Sequence, residues 1–129
     1  MGQQQLLLIV LGTIIVGVAV VVGINMFTTV AINAERDALV QDVNNIASAA
    51  ASYWRKPLAL GGGGRTFAGV TSVTTFGAAD SNANGEFTIT GTPGLTTFDV
   101  LATGGNEGVT VAATISQQGI QGTLTIVIP

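Results

Sequence analysis

The chain has 129 residues, of which only 9% are charged, and its four basic residues leave a net charge of −3. An electrostatic nucleic-acid surface needs a basic patch, so no nucleic-acid partner is expected. Cys and His are both absent, which removes disulfides, thiolate nucleophiles, imidazole bases and most zinc or copper sites; neither an enzyme nor a cofactor is expected.

Residues 6–26, LLLIVLGTIIVGVAVVVGINM, are uncharged and mostly apolar, and no charge precedes Glu35. At about 1.5 Å per helical residue the run spans roughly 31 Å, the hydrocarbon thickness of a bilayer. A secretory signal needs a basic leader and a shorter apolar stretch of about 7–15 residues. Met1 to Gln5 carry no Lys or Arg, so the segment is expected to be retained. Arg36 lies between Glu35 and Asp37, which gives the C-terminal flank no positive bias and leaves it free to lie outside the cytoplasm. Thr13 with Gly17 and Ala19 with Gly23 form small pairs four residues apart, a spacing that lets helices approach closely.

The helical pattern then continues. Leu39, Val43, Ile46, Ala50 and Tyr53 recur at spacings of four and three, so they share one face and are expected to cover a sheet. No Pro occurs before Pro57, which predicts one helix to about residue 55. Tyr53, Trp54 and Phe27 are read as packing residues rather than as an electron path. Arg55, Lys56 and Arg65 form the one basic cluster, a solvated face or a partner for acids of a neighbouring copy such as Asp37 or Asp42.

Pro57 and the run Gly61–Gly64 end the helix in a hinge or a tightly turning connector; the run lacks the Lys and Ser/Thr of a phosphate loop. Phe67, Val70, Val73 and Phe76 show no clean period, and residues 56–84 are expected to form a connecting region with room for one short element. Within it, Asp80, Asn82, Asn84 and Gly85 match the opening of a calcium loop, with Glu86 as a further oxygen ligand. Gly91 stands where the twelfth, acidic ligand belongs, and a turn starting the first hairpin at Asn84 and Gly85 is the simpler reading.

From Gly85 the apolar period is two. Phe87 and Ile89 mark the first strand, Leu95 to Ala102 the second, Val109 to Ile115 the third, and Ile120 to Ile128 the fourth, with turns at Gly91–Gly94, Gly104–Gly105 and Gln117–Gly119. The predicted fold is α+β: a long N-terminal helix, hydrophobic then amphipathic, packed on a C-terminal antiparallel sheet of about four strands. Its segments are 1–27, 28–55, 56–84 and 85–129.

This layout resembles the type IV pilins and related pseudopilins. In the N-terminal 30 residues Met1 matches the usual first mature residue, while Gln5 stands where the family carries Glu. Processing after Gly2 would instead put Leu7 at that place. The resemblance implies a polymerising helix that uses Met1, Gln5, Leu6, Leu8, Leu11, Thr13, Gly17, Ala19, Gly23 and Phe27. It implies a major structural subunit of an extracellular, pilus-like helical filament built from copies of this chain. The precursor would sit in the cytoplasmic membrane and be handled there by a pilus assembly machinery. A pseudopilin of a secretion system and a single-pass, membrane-anchored binding module are the alternatives.

Overall fold

The computed structural model describes residues 2–105 and 108–128. Two compact units make up the chain, Met1–Asn33 and Ala34–Pro129.

One helix, α1, runs from Gly2 to Arg55. Three of its hydroxyls are satisfied within it: Thr13, Thr28 and Thr29 donate to the carbonyls of Ile9, Ile24 and Asn25 at 2.9, 3.1 and 3.0 Å, so these polar groups need no water. Gly12, Gly17 and Gly23 are all helical. The helix stops before Pro57, which has no N–H to continue the ladder.

The glycine run folds back onto the helix end as a turning connector. The N–H groups of Gly63, Gly64 and Arg65 donate to the carbonyls of Tyr53, Lys56 and Trp54 at 2.8, 3.0 and 2.8 Å, which satisfies carbonyls that a helix terminus leaves without partners. The approach is close enough to demand glycine. A β-carbon at Gly62 would land on Lys56, and one at Gly63 would lie 2.7 Å from the Tyr53 ring.

Residues 56–84 hold two 3₁₀ turns, Leu58–Leu60 and Val73–Phe76, where the sequence suggested one short element. They also supply core: Phe67, Val70 and Val73 are buried. These side chains come from turns, and no helical or strand period marks them.

Strands β1 (Gly85–Thr90), β2 (Thr97–Gly104), β3 (Thr110–Ser116) and β4 (Gly119–Val127) form one antiparallel sheet in sequential order. Opposed residues share a face. Pairing of Phe87 with Ala102, Ala102 with Val111, Val100 with Ala113 and Phe98 with Ile115 therefore builds one apolar side. The other side is polar and β-branched, with Thr88, Thr90, Thr103 and Thr110 on it. β2 begins two residues later than the alternation suggested, because Leu95 belongs to the preceding turn. Its carbonyl accepts the Phe67 N–H at 3.3 Å and the Trp54 indole N–H at 3.0 Å. β4 is irregular: Thr114 and Ala112 pair with Gln121 and Thr125, four residues apart on β4, so the strand bulges between them.

The amphipathic part of α1 packs against this sheet. Leu39, Val43, Ile46, Ala47 and Ala50 are buried with the apolar strand residues, each large one contributing about 1.5–3 kcal/mol. Tyr53 is half-buried and meets Phe76 edge-on at 5.1 Å. Phe76 in turn contacts Phe67 and Phe98, so an aromatic cluster closes this end of the core.

Candidate assembly surface

In the unit before Ala34 no described residue is buried. Seventeen large apolar side chains, from Leu6 to Val30, are more than half exposed, and they surround the helix. A helix apolar all round belongs in lipid or in a protein interior. Exposure of this many side chains to water costs tens of kcal/mol by order of magnitude, far above the roughly 5–15 kcal/mol stability of a domain. The segment is long and apolar enough to cross a membrane.

The expected polymerisation residues fall on this surface, except Met1, which lies outside the described residues. Leu6, Leu8, Leu11 and Phe27 are among the exposed apolar groups. At 100° per residue Gln5, Ala19 and Gly23 line one face, and Gly12, which is not among the expected residues, lies on it too. Thr13 and Gly17 lie together on another. Beyond the helix's own adjacent backbone, no atom of the described residues comes within 4 Å of where a β-carbon would stand on Gly12, Gly17 or Gly23.

Two of the calcium-loop candidates, Asn82 and Asn84, turn toward the helix. Asn82 Oδ1 accepts the backbone N–H groups of Asn84 and Gly85 at 2.8 and 3.2 Å, which directs its amide nitrogen to Asp42 Oδ2 at 3.1 Å. Asn84 donates to the same oxygen at 2.7 Å. Asp80 and Glu86 are exposed, and the Asp80 carbonyl accepts the Phe87 N–H at 2.8 Å. Among the described residues no three His, Cys, Asp or Glu side chains stand close enough to hold a metal ion.

No protein-family model matches this chain, and neither the curated proteins nor the solved structures include a match.

At the far end of α1, Arg65 has φ +66°, alone among the described non-glycine residues. This left-handed turn places its guanidinium 5.9 Å from the centre of the Trp54 ring, within cation–π range. Leu58, Leu60 and Leu95 are all strongly exposed. The periodicity of the sequence did not single out Leu58 and Leu60, which lie in a turn, and it placed Leu95 in a strand.

Proposed function

We propose that this chain is the structural subunit of an extracellular, pilus-like helical filament, polymerising through the helix before Ala34. The observation that carries this reading is the ring of seventeen exposed apolar side chains, followed without a break by a helix face that folds onto a small sheet. Before assembly the apolar segment resides in the cytoplasmic membrane, and in the filament it exchanges lipid for the helices of other copies.

That exchange gains little hydrophobic energy, because lipid is as apolar as leucine; it depends on close packing and on interhelical polar contacts. The chain has features for both. Gly12, Ala19 and Gly23 leave one face low enough for near approach, and Gln5 on that face offers an amide for a hydrogen bond between helices. Being neutral, Gln5 cannot compensate a neighbouring charge, so register in this filament rests on shape and hydrogen bonding. Once outside the membrane, withdrawal of one subunit would expose its apolar helix to water, which makes the polymer durable.

Electron microscopy of sheared cell-surface material, with mass spectrometry of the threads, tests the reading. Threads composed of this chain are expected. Intact protein recovered only as dispersed, detergent-solubilised single molecules, with no threads on the producing cells, would overturn it in favour of a tethered module.

A further inference from the structure

The unit formed by Ala34–Pro129 is electrically polar along α1. Three contacts fix its two ends. A β-carbon on Gly104 would land on the Glu35 carboxylate, Asn84 holds Asp42, and Trp54 donates to Leu95. The helix therefore runs from the end of the sheet where β1 starts and β2 finishes to the end where β2 starts.

At the second end stand Arg55, Lys56 and Arg65, all exposed, beside Leu58, Leu60 and Leu95, which are 76, 70 and 69% exposed. The first end carries exposed Asp37, Asp80 and Glu86, with Ile126, Val127 and Ile128 at 37, 57 and 45% exposure. The fourth basic residue, Arg36, is paired on its own helix with Asp37 at 2.9 Å. Asp99 is the described acid nearest the basic end; it sits on the outer face of the sheet and accepts the Thr114 hydroxyl at 2.7 Å. From residue 37 to residue 55 is about 27 Å of helix, several Debye lengths at roughly 8 Å each. The two ends are too far apart to compensate each other within one molecule.

The geometry points to a head-to-tail contact: the basic, leucine-bearing end of one copy docks on the acidic, isoleucine-bearing end of a second copy. This inference rests on the filament reading and adds a second contact to it, outside the apolar helices. In a filament whose subunits all point the same way, translation along the axis brings unlike ends together. Opposite charge at the two ends thus favours the parallel arrangement and opposes the antiparallel one. The contact joins two different patches, so it propagates instead of closing a dimer, and it covers apolar side chains at both ends.

Lys56 is the sole lysine of the chain, which makes the test direct. Filaments of the full chain are treated with a zero-length carbodiimide, which condenses an amine with a carboxylate, and the joined peptides are sequenced. Lys56 linked to Asp37, Asp80 or Glu86 is expected, in a covalent ladder extending beyond dimers. Lys56→Arg should abolish the ladder while threads persist. Arg55→Glu should lower its yield about threefold or more. Wild-type threads in which Lys56 joins none of these acids, or joins Asp99 alone, overturn the contact and leave the filament reading standing. A wild-type chain that forms no threads overturns both.

Discussion

Asp42 accepts the side-chain amide of Asn84 at 2.7 Å and so ties α1 to the turn that starts the sheet. The same carboxylate oxygen takes the amide of Asn82 at 3.1 Å, and one group on the helix therefore organises a turn some forty residues away in sequence. Hydrogen bonds to a charged acceptor contribute about 1.5–3 kcal/mol. Asp42→Ala should lower stability by about that amount in thermal unfolding of the detergent-solubilised chain, and Asn84→Ala by somewhat less. The double variant should cost less than the sum of the two, because each single change already breaks the shared contact.

Asn82 has one side-chain oxygen, and the N–H groups of Asn84 and Gly85 occupy it. A calcium ion would have to displace those bonds and turn both amides away from Asp42. Chelator should therefore leave the melting temperature unchanged, and millimolar calcium should not raise it. A rise with calcium that Asp80→Ala abolishes would show a cation site at this turn.

How much of this was legible in the sequence follows from the kind of pattern each residue takes part in. The α+β architecture, the length of α1, the helix face Leu39, Val43, Ile46 and Ala50, and the order of four strands could all be read, because periods of 3.6 and 2 are written into the positions of apolar residues. Phe67, Val70 and Val73 belong to the core through irregular turns, which have no period. Leu95 alternates as a strand residue would, yet Trp54, forty-one residues earlier, takes its carbonyl and holds it in a turn. The Asp80 to Gly85 motif is compatible with a cation loop or an Asx-type turn, and Asp42, on another element, determines which side-chain atoms of Asn82 and Asn84 are engaged. The basic cluster was visible in sequence; its separation from Asp37, Asp80 and Glu86 by nearly the whole sheet was not, since that depends on strand register.

Arg65 pays a conformational cost that glycine would not. The left-handed region costs an L-residue roughly 1–2 kcal/mol, and the cation–π contact with Trp54 returns about 0.5–1 kcal/mol at an exposed site. Arg65→Gly should therefore leave thermal stability unchanged or raise it by up to about 1 kcal/mol. If the basic end makes the axial contact, the same variant should weaken assembly, read as a smaller pelleted fraction at 0.15 M salt. Stability and assembly moving in opposite directions would identify Arg65 as a residue held for its charge.

Gly12 and Ala19 test the helix itself, since they share a face with Gln5 and a β-carbon on Gly12 meets nothing among the described residues beyond its own adjacent backbone. Replacing both by Leu should leave membrane insertion intact or improve it, because Leu is a better helix former than Gly and more apolar. The folded unit after Asn33 should also be unaffected, as measured by circular dichroism and melting of the full chain in detergent. The larger side chains would hold neighbouring helices apart where only small residues allow close approach, and packing is what drives helices to associate once lipid has removed the hydrophobic term. Assembly should therefore fail while insertion succeeds, giving membrane-resident monomers and no threads. Ile14→Leu, an apolar exchange of equal volume off that face, should form threads at the wild-type level; equal loss in both variants would mean that bulk hydrophobicity, and not the small face, governs the association.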